Sequence, residues 1–180
     1  MIVVLSVALA IGGCLVVDQD RTILRDHYDP PLSPYNYTSP LSGMRSYITN
    51  SKDDVLLTVE NLPAGSSVRL AVMDRFDGNV WNLSDSTMSS DSSNYRRVGT
   101  SITNNAEGKK FTATFTVDKG LSDYWLPMAG AASSVTFDNS ENSDSFYYNS
   151  DTMSAIYPSR TSEGLTYTET GIMPTVPTDK

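Results

Sequence analysis

A chain of 180 residues with 39% hydrophobic side chains can pack one ordinary domain and is too short for two. A net charge of −8, with Arg96-Arg97 and Lys109-Lys110 as the longest basic runs, excludes a surface that tracks nucleic-acid phosphates. One Cys and one His exclude an internal disulfide, a cysteine-rich zinc site and a His–His metal cluster.

The first 17 residues carry no charge and are mostly Ile, Val, Leu, Ala and Gly. As a helix they span about 25 Å, slightly short of a hydrocarbon core of roughly 30 Å. A signal peptide fits the length but lacks the basic start. A lipoprotein signal would use Ile11-Gly12-Gly13-Cys14, yet Leu15-Val16-Val17 prolong the apolar run where a polar tether belongs. The preferred reading is the outer end of a longer transmembrane helix, and all three readings place the residues after Asp18 beyond the cytoplasm. Residues 18–50 read as an extended membrane-proximal segment, because Pro30, Pro31, Pro34 and Pro40 deny regular backbone pairing. A short helical turn is allowed over Leu41 to Tyr47.

Strand patterns begin after Asp53. Val55 to Val59 is a β-branched run closed by Asn61-Leu62-Pro63-Ala64-Gly65, a turn signal. Val68 to Met73 follows as a strand with Val68, Leu70 and Val72 on one face. Asp77-Gly78 then turns the chain into Val80 to Leu83, a hairpin return. Ser84 to Asn94 reads as a polar loop. The clearest strand is Phe111 to Val117, with Phe111, Ala113, Phe115 and Val117 inward and three Thr outward. Shorter candidates are 95–98, 124–126, 134–137, 146–148, 153–157 and 165–168. These patterns predict an all-β fold, a β-sandwich of about eight to ten short antiparallel strands preceded by an apolar N-terminal helix. A barrel is the alternative. The domain is expected over 51–170, with 171–180 a linker holding two Pro.

No residue emerges as catalytic, cofactor-binding or metal-binding. Cys14 lies in an apolar run, where a thiol stays protonated, and His27 has no nucleophile motif beside it. Asp74, Asp77 and Asn79 surround a Gly, but their spacing suits a tight turn better than a calcium loop. Asp74, Asp77 and Trp81 are therefore read as parts of a structural turn. Trp81, Trp125 and Tyr147-Tyr148 are candidates for a sugar-stacking platform, against which stands the tendency of a strand Trp to be core.

Three segments taken together carry a family resemblance. Arg21 to His27 runs into Pro30-Pro31 and Ser39 to Arg45; Leu62 to Gly65 precedes Arg69-Leu70-Ala71-Val72-Met73-Asp74-Arg75-Phe76-Asp77-Gly78-Asn79-Val80-Trp81; and Tyr124-Trp125-Leu126-Pro127-Met128-Ala129-Gly130 comes last. Over residues 18–170 the chain resembles the extracytoplasmic β-rich region of actinobacterial membrane proteins of the transglutaminase-like TgpA type. The resemblance implies transmembrane helices upstream and a transglutaminase core downstream, whose Cys-His-Asp triad has no counterpart here. It implies a non-catalytic module that positions or regulates an adjacent transglutaminase-like domain at the cell envelope, held in the cell membrane through residues 1–17 with the β domain on the extracytoplasmic side. The alternative is a stand-alone membrane- or lipid-anchored surface protein that binds cell-wall glycan or peptide.

Overall fold

Ten strands, one α-helix and a 3-10 turn over Pro34–Asn36 make up the regular structure among the described residues of the computed structural model. Those residues are 32–37, 39–76, 78–79, 81–83, 95–99, 101–140, 142 and 146–175. Pro31–Lys180 forms one compact unit. The apolar run over 1–17, Cys14, His27, Asp77 and the polar loop over 84–94 lie outside the described residues.

The first four-stranded sheet is antiparallel, in the order β1 (Leu57–Glu60), β5 (Gly108–Val117), β10 (Thr166–Pro174) and β7 (Ala131–Phe137). Period-two patterning builds its centre. Phe111, Ala113, Phe115 and Val117 of β5 are buried, as the alternation predicts. β10 repeats the device: Tyr167, Glu169 and Gly171 point inward while Thr166, Thr168 and Thr170 point outward. The outward Thr of the two strands meet in register, Thr116 with Thr166, Thr114 with Thr168 and Thr112 with Thr170, their hydroxyls 3.1–3.4 Å apart. On the inner face Phe115 stacks on Tyr167, ring centroids 5.1 Å apart.

The second four-stranded sheet is also antiparallel, in the order β4 (Arg96–Arg97), β8 (Tyr147–Asn149), β9 (Ser154–Ile156) and β6 (Trp125–Leu126). Its strands are two or three residues long; the edge strand β4 is exposed, while β8, β9 and β6 are buried on both faces. Leu126, Tyr148 and Ala155 join the large cluster that also holds Phe115, Phe137 and Tyr167 of the first sheet. The alternate residues Trp125, Tyr147 and Ile156 join a second cluster with Tyr95 and Leu83, covered by Leu32, Tyr37, Leu70, Ala71 and Met73. A strand buried on both sides has no polar face to display, so the alternating signal that exposed Phe111–Val117 is missing here.

The chain is mostly β, as expected, with three departures. The Val68–Met73 strand does not form. Its only ladder contact is the bridge from Arg69 to Met128, and Leu70, Ala71 and Met73 lie as a cover on the second cluster while Val68 is exposed. The last strand runs on to Pro174, into the stretch read as linker, because Ile172 pairs with Lys110 and Pro174 with Gly108. Pro40–Thr49 is a full helix, α1, in place of a single turn. Pro at its start fits, since the missing N–H is one that no helix position would use. Among the described residues no helix is long and apolar enough to cross a membrane. The remaining strands, β2 (Arg75–Phe76) and β3 (Trp81–Asn82), form a separate hairpin. Gly78 in its turn adopts φ 102°, a conformation that favours Gly.

Candidate functional site

Two features stand out from the packing: a buried polar clamp and an exposed apolar face. The clamp holds the crossing from β6 to β7. Glu169, fully buried on β10, accepts hydrogen bonds from the backbone N–H of Ala129 at 2.8 Å and of Gly130 at 3.2 Å. Arg69 donates to the carbonyls of Ala129 at 2.9 Å, Met153 at 3.2 Å and Thr152 at 3.4 Å. Its backbone exchanges two hydrogen bonds with Met128, at 2.8 and 2.9 Å. The Tyr167 hydroxyl donates to the carbonyl of Pro127 at 2.6 Å, and the Tyr148 hydroxyl accepts from the N–H of Ala132 at 3.1 Å. Pro127, Ala129, Gly130 and Ala132 thus have backbone polar groups met by side chains, while Met128 pairs with the backbone of Arg69.

Burial raises the Glu169 carboxyl from its ordinary value to about 7, against the lowering pull of the Ala129 and Gly130 amides and then of Arg69. A carboxyl near neutrality resembles a general acid or base. Here both oxygens are engaged by backbone amides in a closed interior, and the group acts as a strut. Tyr148 is likewise pushed up by burial to about 12.

The second feature begins at α1. Pro40, Gly43 and Tyr47 follow one stripe of the helix and face the domain. Tyr47 donates to Asp123 Oδ2 at 2.5 Å, and a Cβ on Gly43 would stand 3.0 Å from the same oxygen. Asp123 is itself fixed, accepting from the N–H of Tyr124 at 2.7 Å and held to Thr161 through backbone and side chain. That anchor sets the helix roll and leaves the neighbouring stripe, Leu41, Met44 and Ile48, 49–62% exposed. On the hairpin, Phe76 and Trp81 pair across the strands with ring centroids 5.3 Å apart and are each more than half exposed. Met73 joins the two areas. It lines the groove of about 410 Å³ beside Leu41 and Met44, and also the smaller hollow beside Trp81, Pro34 and Tyr37.

Of the residues singled out in the sequence, Trp125, Tyr147 and Tyr148 are buried and cannot form a stacking platform. Trp81 behaves oppositely. The rule that a strand Trp is core holds for Trp125 and fails for Trp81, whose two-stranded hairpin belongs to neither larger sheet. The residues the sequence reading missed are Glu169 and the α1 stripe. The alternation of Thr166, Thr168 and Thr170, mirroring Thr112, Thr114 and Thr116, was the signal that turned Glu169 inward.

Residues 38–178 match the family model of the TgpA N-terminal domain. The chain belongs to that family. No curated protein and no solved structure matches it. The match takes in the second and third of the segments that carry the resemblance and Ser39 to Arg45 of the first, and Arg69 and Met128, one from the second and one from the third, meet in the bridge at the centre of the clamp. Membership in a TgpA N-terminal domain family points to an accessory region of a transglutaminase-like protein.

Proposed function

We propose that this chain is a non-catalytic β-sandwich module of a membrane-bound transglutaminase-like protein, which positions or regulates the adjacent enzyme core on the extracytoplasmic side of the cell membrane. The observation that carries the reading is the match to the TgpA N-terminal domain over residues 38–178. Three properties support it. The chain's one thiol and one imidazole, Cys14 and His27, fall in no catalytic motif. Glu169, whose carboxyl is raised to about 7, is occupied in holding backbone. The apolar, uncharged residues 1–17 suit a membrane anchor.

Activity separates this role from catalysis by the chain itself. Purified chain offered glutamine-containing peptides and an amine, or peptide substrates alone, is expected to give no acyl transfer and no hydrolysis above the buffer rate. Turnover that survives Cys14→Ala together with His27→Ala would overturn the assignment. Protease added to intact spheroplasts is expected to digest the β domain; protection until the membrane is opened would contradict the extracytoplasmic placement.

A further inference from the structure

The α1 stripe, with Leu41, Met44 and Ile48 turned to solvent, leaves an apolar face open. We propose that this face, continued by Phe76 and Trp81 of the hairpin, lies against the surface of a lipid bilayer. The proposal rests on the reading of residues 1–17 as membrane-inserted and adds an orientation to it: which side of the domain meets the lipid.

Three observations select lipid as the occupant. The first is where the chain enters. Leu32 is bridged to Tyr95 of the domain, and Pro34, Tyr37 and Pro40, which follow it, line the two hollows of this face. Residues 18–31 connect the apolar run to that entry and reach at most about 50 Å when fully extended. A covalent connection of at most that length keeps the domain close to any membrane that holds residues 1–17, so that weak apolar contacts suffice. The second is charge. The chain has 21 acidic residues, yet α1 carries none, and its one charged side chain is Arg45. Arg75 lies beside Phe76 on the hairpin, with Asp74 next to it at the edge. Arg45 and Arg75 balance Asp74 and Asp77, so the helix and hairpin carry no net charge in a chain of net −8 and repel anionic headgroups less than its acidic remainder does. The third is chemistry. An exposed Trp paired with a Phe presents a ring body to the acyl boundary and an indole N–H to the headgroups.

The two Trp residues make this testable in the full chain, because Trp81 is half exposed and Trp125 is wholly buried. Vesicles of phosphatidylcholine and phosphatidylglycerol are added, and flotation is measured together with Trp emission; a Trp81→Phe chain supplies the Trp125 baseline. The expected result is flotation, with the Trp81 component shifted to the blue, its quenching by acrylamide reduced several-fold, and new quenching by brominated lipid. Leu41→Ser with Ile48→Ser, both at exposed positions, is expected to reverse the Trp81 changes while the chain still floats. Flotation with Trp81 as open to acrylamide as before would overturn the docking face and leave the anchor standing. No flotation would overturn both. Shielding of Trp81 that grows with protein concentration in the absence of vesicles would assign the face to a second copy and overturn the lipid proposal.

Discussion

Glu169 shows how one residue can carry the signature of catalysis and do the work of a scaffold. Its oxygens stand where the β6–β7 crossing has two backbone amides and no strand to receive them. Because burial lifts its carboxyl to about 7, the folded chain holds the proton more tightly than the unfolded chain does. The stability this adds is fully present below the ordinary carboxyl range near 4.5 and is lost as pH rises through about 7. The effect amounts to about 3 kcal/mol at most. Glu169→Gln removes the titration and turns one acceptor into a donor facing an amide, at a cost of about 1–3 kcal/mol. Urea unfolding of both chains is therefore expected to show Gln well below Glu in stability at pH 5, with the gap narrowing towards pH 8. A constant gap across that range would mean that Glu169 keeps its ordinary affinity for protons.

Among the elements, β10 is, with β5, one of the two central strands of the first sheet, pairing with β5 on one side and β7 on the other. Its register against β7 shifts between Thr170 and Gly171. A Cβ on Gly171 would stand 2.4 Å from the carbonyl oxygen of Ala131, so the backbones approach there as only Gly allows. Gly171→Ala forces strand β7 outward and is expected to destabilise the domain by about 1–3 kcal/mol, read from the denaturant midpoint; an unchanged midpoint would contradict the close approach. Legibility in the sequence followed exposure. β5 was plain because one face is wet, and its alternation survives in the burial pattern. The two- and three-residue strands around Trp125, Tyr147 and Ile156 were located but not assigned to a sheet, since burial on both faces erases the period. α1 was undercounted for a related reason: Leu41, Met44 and Ile48 have helical spacing, but their stripe faces away from the core, and four nearby Pro argued for extended chain. The extent of β10 was hidden by Gly171 and Pro174, residues that ordinarily end strands and here sit at a bulge and at the final pair.

At the level of the whole molecule, the absence of a site from the sequence reading and the engagement of Glu169 by backbone direct attention to surfaces. Among the described residues, three of the exposed large apolar side chains, Leu41, Met44 and Ile48, gather on α1, and the interior aromatic residues are committed to packing, as Phe115 on Tyr167 and Tyr95 against Trp125 show. Such a module acts by where it holds its neighbours. An accessory role within a larger transglutaminase-like protein is tested most directly by sequencing the gene on both sides of these 180 codons. The reading frame is expected to continue past Lys180 into a domain bearing Cys, His and Asp in transglutaminase order, and upstream of Met1 into further apolar spans. Stop codons bracketing Met1 and Lys180 would contradict it and make the chain a self-contained anchored surface protein.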